Sequence, residues 1–346
     1  MRIALDVMGG DHGCGPLIGG AREALSALPV LSELFLVGRE AEIQSALATR
    51  NCRDPRLKVV HAAEVLTMED KPLEAVRKKK DSSMLRAIEL VRDGKADAII
   101  SQGNTGALVA ASTLRLRRLE GVERPVIAAV MPSLTREFVL LDAGANSECT
   151  PEYLAQFAVM GAIYSREILG REHPRVGLLS NGTEPGKGTD LTRATHQLLK
   201  RTSLNYLGYV EGFDLFNDRV EVVVADGFVG NIVLKSCEGL GRSVGHLLKT
   251  ELKANPLRMF GAFLAQGALK RIKQRMNPDA YGGAPLLGLN GNVIKAHGSA
   301  REFAIANAIR VATETVRHHL NDHITRDIAR LNELAAHNEA PETRPA

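Results

Sequence analysis

Short apolar runs alternate with amphipathic stretches from the first residues onward. Residues 3–7 predict a strand, 16–28 a helix, 34–37 a strand, 39–48 a helix and 57–60 a strand. Further strands are predicted at 98–100, 126–130, 138–142, 176–179 and 220–224, with helices over 82–92, 108–119, 152–169 and 191–200. This alternation predicts an α/β fold in which a mainly parallel sheet carries helices on both faces. In such sheets ligands bind beyond the carboxyl ends of the strands. The third quarter differs. Residues 227–251 read as one long helix, Asn255-Pro256 breaks it, 257–276 is a second amphipathic stretch, and helix returns over 299–334. The pattern predicts a single large unit over 1–335 with a helical protrusion at about 228–278. The tail, 336–346, contains Pro341 and Pro345, lacks core-forming residues and is expected to be disordered.

Composition narrows the class. The chain has 346 residues, 45% hydrophobic and 24% charged, ample for a large soluble α/β unit. Cys14, Cys52, Cys149 and Cys237 stand singly, without zinc or redox spacing, so reduced thiols in a cytoplasmic protein and no metal are expected. The first residues meet charge too early for a signal peptide, and no apolar run is long enough for a transmembrane helix. A net charge of +4 is mild, and 4% aromatic residues give no base-stacking pattern, so no nucleic acid is expected as partner.

Chemistry concentrates in glycine-bearing loops at predicted strand ends. Ser101-Gln102-Gly103-Asn104-Thr105-Gly106-Ala107 follows a buried strand and opens a helix. Outward amides, the positive end of the helix dipole and close backbone approach make such a loop an anion site. Asp142 to Asn146, Asn181 to Lys187, Asp226 to Asn231 and Tyr281 to Gly288 are similar loops, and His297-Gly298-Ser299 follows the last. Any one of them is more readily a structural turn. Together Asn104, Thr105, Asn146, Asn181, Lys187, Asn231 and His297 would supply neutral donors and one or two cations to an oxyanion and a polarised carbonyl. The glycines from Gly9 to Gly19, with Arg39, suggest a nicotinamide dinucleotide site, but their spacing departs from that fingerprint and Asp6 and Asp11 would repel a pyrophosphate. There is no hydrolase nucleophile elbow, and no cysteine has an evident activating neighbour.

Eight motifs in order resemble the bacterial phosphate acyltransferase (PlsX) family of phospholipid synthesis. They are Ile3 to Asp11, Lys79 to Met84, Ser101 to Ala107, Asp142 to Asn146, Asn181 to Lys187, Glu211-Gly212, Val224 to Asn231 and Tyr281 to Leu287. The resemblance spans about residues 1 to 330. It implies a three-layer α/β sandwich similar to phosphotransacetylases, a homodimer, and no cofactor. It also implies a reaction in which acyl carrier protein gives up its acyl group to inorganic phosphate, the acyl phosphate then serving a membrane glycerol-3-phosphate acyltransferase of the PlsY type. Ser101, Asn104, Thr105 and Gly106 are then expected to hold phosphate. Lys187, Asn231 and His297 are the candidate catalytic residues, and Asn181, Asn146 and Asp226 candidates for the acyl thioester.

Residues 252–278 carry six basic residues and no acidic one. They read either as a solvated helix face or as a surface helix whose Leu257, Phe260, Phe263 and Leu264 touch lipid while the cations meet anionic headgroups. The second reading puts the protein in the cytoplasm, peripherally on the inner face of the membrane. The competing functions are a nicotinamide-dependent oxidoreductase and a non-catalytic phosphate- or lipid-binding scaffold.

Overall fold

A computed structural model describes residues 1–184 and 186–339. In chain order the strands are β1 (Arg2–Asp6), β2 (Glu33–Gly38), β3 (Leu57–His61), β4 (Ala98–Ser101), β5 (Val126–Ile127), β6 (Ala129–Pro132), β7 (Glu137–Leu141), β8 (Val176–Leu179), β9 (Tyr206–Val210), β10 (Val222–Val224), β11 (Ala284–Leu287) and β12 (Asn292–Lys295). The helices are α1 (Gly15–Ala27), α2 (Glu40–Thr49), α3 (Pro72–Lys78), α4 (Ser83–Arg92), α5 (Thr105–Leu116), α6 (Pro151–Glu167), α7 (Asp190–Leu199), α8 (Gly227–Leu252), α9 (Pro256–Leu264), α10 (Gln266–Arg275), α11 (Glu302–Arg317) and α12 (Leu320–Glu339).

The strands divide over two sheets, ordered β3-β2-β1-β4-β12-β11-β5 and β6-β7-β10-β8-β9. The first is parallel from β3 through β12, and the second is parallel from β7 through β9. Strand alternation gives each sheet two buried faces. Ile3, Leu5 and Ile100 pack on Leu17 and Ile18 of α1 and on Ile305 and Ile309 of α11, while Ala4, Ile99 and Val293 face Met84, Ile88 and Leu108 of α4 and α5. In the second sheet Val139, Leu141 and Val222 meet Phe157 and Tyr164 of α6 and Ile324 and Ile328 of α12. Its other face sets Phe138, Leu140 and Val223 against Leu215, with Val233 and Leu234 of α8 beside them. Each large side chain buried in this way contributes roughly 1.5–3 kcal/mol.

The segment expected as one strand at 126–130 is two short strands, one in each sheet. The break at Ala128 is set by groups distant in sequence: Ala128 N donates to Pro285 O (3.0 Å) and Ala143 N to Ile127 O (3.0 Å). Local pattern therefore could not reveal it. Strands β9, β11 and β12 were not expected. β9 is interrupted by Gly208 at φ +100°, and β12 contains only Val293 and Ile294 as apolar residues. The second amphipathic stretch is two helices, α9 and α10, separated at Ala265, and the C-terminal helix breaks at His318-His319, where His319 has φ +48°. Arg77 and Lys78 form the last turn of α3. The terminal segment 336–346 joins α12 over its first four residues and otherwise lies outside the described residues.

Candidate functional site

Three adjacent parallel strands of the first sheet end together, because register places Asp6 and Lys295 each beside Ser101. Ser101 Oγ donates to Asp6 Oδ2 (2.6 Å) and accepts from Gly103 N (3.1 Å). Burial pushes the Asp6 carboxyl up, and hydrogen bonds from Ser101 and Ser83 pull it back. The loops beyond these strands are tied to one another. Gln102 Nε2 donates to the carbonyls of His297 (3.0 Å) and Ala300 (2.8 Å), and Asp11 N donates to Gly298 O (3.0 Å). A Cβ on Gly9 would lie 2.7 Å from the backbone of Gly103, so only glycine permits the loops after β1 and β4 to touch.

The same loop leads into α5. Asn104 caps this helix, its Oδ1 accepting from Ala107 N (3.0 Å) and its Nδ2 donating to Met68 O (3.1 Å). The amides of Thr105 and Gly106 open the first turn, where no earlier helical carbonyl exists to receive them. Ser101 is fully buried, while Thr105 is half-buried and Gly106 exposed. Of the four residues expected to hold phosphate, Ser101 and Asn104 thus shape the loop, and Thr105 and Gly106 present outward amides.

The second sheet brings three more loops side by side, since Val224 at the end of β10 is level with Leu141 of β7 and Leu178 of β8. The buried Asp142 carboxylate accepts from the amides of Ile127, Gly144, Ala145 and Asn146 and from Asn146 Nδ2 (2.9 Å). Burial still holds this carboxyl above its ordinary value. Asn146 Nδ2 also donates to Pro125 O (2.8 Å), and Asn146 O receives Gly227 N (2.8 Å). Its amide is therefore engaged in holding the loop. Asp226 caps α8 by accepting from Val229 N (2.9 Å). Beyond β8, Asn181 is exposed and its Oδ1 accepts from Gly188 N (2.9 Å), while the exposed Lys187 forms no ion pair among the described residues.

Helix α8 links the two groups of loops. Asn231 lies over Gly144, where a Cβ would sit 3.2 Å from Asn231 Cβ. Leu234 packs into the cores of both sheets. One residue on, Lys235 is close enough for its charge to act on Lys295. His297 sits at the edge of this region, exposed, with Nδ1 against Ser299 Oγ (2.8 Å) and Ser299 N (3.2 Å). An amide only donates, so Nδ1 accepts and a neutral ring carries its hydrogen on Nε2. Leu257, Phe260, Phe263 and Leu264 lie apart from these loops, on α9.

Lys295, Gln102 and the segment around Met68 stand outside the candidate residues drawn from the sequence, whereas Ser83 lies within the Lys79 to Met84 motif. Lys295 had a local signal: a lone cation at the end of an apolar pair, just before Ala296-His297-Gly298. The thiols offer no activated nucleophile. Burial pushes Cys149 up to about 11 and also raises Cys14 and Cys237.

Comparison with known proteins places this arrangement in a family. Residues 1–323 match the family model described as fatty acid synthesis protein. The phosphate acyltransferase of Akkermansia muciniphila is 45% identical over 340 residues, covering 96% of this chain and 97% of the relative. That of Geotalea daltonii is 46% identical over 324 residues, covering 94% and 93%. Among solved structures, a phosphotransacetylase from Streptococcus pyogenes superposes with a TM-score of 0.57 at 17% identity, over 92% of this chain and 94% of that one. The EutD phosphotransacetylase from Staphylococcus aureus gives 0.55 at 17% identity, over 91% and 94%. At such identity the likeness concerns the fold alone. From the family model and the relatives matched along nearly their whole length, this chain belongs to the phosphate acyltransferase family of fatty acid synthesis proteins.

Proposed function

We propose that the chain transfers a fatty acyl group from the thioester of acyl carrier protein to inorganic phosphate. The observation that carries this reading is the capped start of α5, whose Thr105 and Gly106 amides open at the ends of the central strands. A phosphate oxygen seated there attacks the thioester carbonyl. A carbon–oxygen bond forms, the carbon–sulfur bond breaks, and the carrier thiolate leaves with the electron pair, its conjugate thiol having a pKa of roughly 8.5. Phosphate is already anionic at neutral pH, so positioning matters more than a strong base. Lys187, Asn181 and Asn231 face the developing oxyanion and the carbonyl in this scheme, with Asp226 and Asn146 holding α8 and its neighbouring loop in place. His297 serves proton movement at the rim. The raised thiols favour direct displacement over an acylated enzyme. Family membership favours acyl transfer over a nicotinamide-dependent reaction.

The test is to supply acyl carrier protein thioester and phosphate and to measure acyl phosphate by hydroxylamine capture. Phosphate-dependent product supports the reading, and no phosphate-dependent thiol release would favour the scaffold alternative. Acyl-protein recovered after a denaturing quench would overturn direct displacement.

The same reading includes a membrane surface and a homodimer. Helix α9 has no buried residue; Leu257, Phe260, Phe263 and Leu264 are 60–80% exposed, and α10 beside it carries Lys270, Arg271, Lys273 and Arg275. An exposed apolar face with adjacent cations suits an anionic bilayer. No helix among the described residues is long and apolar enough to cross a membrane. Peripheral attachment on the cytoplasmic face would deliver acyl phosphate to a membrane glycerol-3-phosphate acyltransferase. On α8, Leu240, Val244, Leu247 and Leu248 form an exposed apolar stripe fitted to a second copy of the chain.

A further inference from the structure

Lys295 closes β12, level with Ser101 at the mouth of the loop that opens α5. Its Nζ donates to Gln102 O (3.2 Å) and to Ala296 O. An ammonium has three hydrogens, so one is left without an acceptor among the described residues. Asp6 and Asp11 act on Lys295 as charges, yet neither lies within the 4.0 Å of an ion pair. Asp6 is turned to Ser101 and Ser83, in the floor of the sheet.

Several features argue against a simple surface lysine. The side chain is half-buried, and desolvation lowers its pKa to about 8, still mostly protonated at neutral pH. Asp11 and Asp6 favour its charge, and Lys235 of α8, the weaker influence, disfavours it. A partly desolvated ammonium that keeps a free hydrogen and has a like charge beside it gains most from an anion. The location supplies the rest. Gln102 O, which Lys295 holds, precedes the Asn104 cap by two residues, and Gln102 Nε2 staples the same loop to the backbone at His297 and Ala300. Lys295 is thus fixed against the loop whose next turn presents the Thr105 and Gly106 amides.

Resting on the acyl-transfer reading above, we infer that Lys295 binds the phosphate nucleophile directly, its third N–H reaching the anion received by the first turn of α5. Lys187 and Lys295 then have separate tasks on separate sheets: Lys187 faces the thioester side, and Lys295 the phosphate.

The experiment uses the full chain and its Lys295→Met, Lys295→Gln and Lys295→Arg variants. The Gln variant retains a donor toward Gln102 O and serves if the Met variant is unstable. Binding of radiolabelled inorganic phosphate is measured by equilibrium dialysis, and kinetics with acyl carrier protein thioester give both KM values. Loss of one charge-assisted contact should raise the phosphate dissociation constant and phosphate KM by ~10-fold or more in the Met and Gln variants. The Arg variant should recover most of that loss, and KM for the thioester should hardly move. Unchanged phosphate affinity in a folded Met or Gln variant would overturn the inference. So would a fall in melting temperature that accounts for a matching shift in both KM values, since a purely structural staple behaves that way. If the unsubstituted protein binds phosphate through Lys295 but makes no acyl phosphate, the acyl-transfer reading fails and this one stands. If it makes acyl phosphate while the folded variants keep their phosphate KM, only this inference fails.

Discussion

At the scale of single residues, the polar groups divide into those that hold loops and those that remain available to a ligand. Asp142 is surrounded by donors from its own loop and from Ile127, and Ser101 is enclosed between Asp6 and Gly103. Lys187 is exposed on a loop that bends around glycines, and its ammonium can swing to a charge that appears only during reaction. Replacing Lys187 with Met should lower turnover by ~100-fold or more while leaving the thermal melt unchanged. A folded variant with a near-normal rate would remove Lys187 from the reaction.

At the scale of elements, the start of α8 is fitted tightly to the Asp142 loop, whereas its distal half is open. A Cβ on Gly230 would stand 2.0 Å from Asp142 O, and nothing lies within 4 Å of one on Gly239. Gly230→Ala should therefore destabilise the protein by about 1–3 kcal/mol through overpacking. Gly239→Ala should stabilise it by about 0.5–1 kcal/mol through helix propensity. Denaturant titration separates the two, and a neutral Gly230→Ala would refute the tight fit. The entry to β8 and β10 is tied by Arg175 and Glu221: Glu221 N donates to Arg175 O (2.9 Å), Arg175 N donates to Glu221 Oε2 (2.7 Å), and the two side chains pair. Burial pushes the Glu221 carboxyl up, but its hydrogen bonds to Arg175 outweigh this and hold it below its ordinary 4.5. The folded state then binds this proton more weakly than the unfolded chain. The contribution is complete above pH 4.5 and is lost as pH falls through the lowered value. Glu221→Gln should flatten this part of the acid dependence of the urea midpoint; an unaltered slope would show that the pair is not its source.

At the scale of the whole molecule, the two sheets meet where Val126 of β5 and Leu287 of β11 enter the core of the second sheet and where Leu234 of α8 packs on both. Helices α9 and α10 bury no residue. In a double Phe260→Asp, Leu264→Asp variant, sedimentation with vesicles containing anionic phospholipid should fall at least ~10-fold, since each buried apolar side chain contributes roughly 1.5–3 kcal/mol. Acyl transfer to phosphate in solution should persist. Undiminished sedimentation would place lipid contact elsewhere.

What was legible in the chain alone follows from the range of the forces involved. Element type is set by local periodicity and caps, so β1, α1, β2 and the long helix α8 could be read within a residue or two of their observed bounds. The strand-to-helix loop 101–107 could be recognised because the strand, the glycines and the capping Asn104 are consecutive. The splitting of residues 126–130 over two sheets could not be read, because its cause is hydrogen bonding to Pro285 and Ala143. Nor could the place of Lys295: β12 is only four residues long, and its neighbour in register, Ser101, lies almost two hundred positions earlier. Short-range geometry alone fixed most of the elements and the capped, glycine-bearing start of α5. The tertiary structure decided which strand ends are neighbours, which polar side chains are enclosed and which cations stay free, because those depend on pairing between distant segments and on the exclusion of water that the pairing brings.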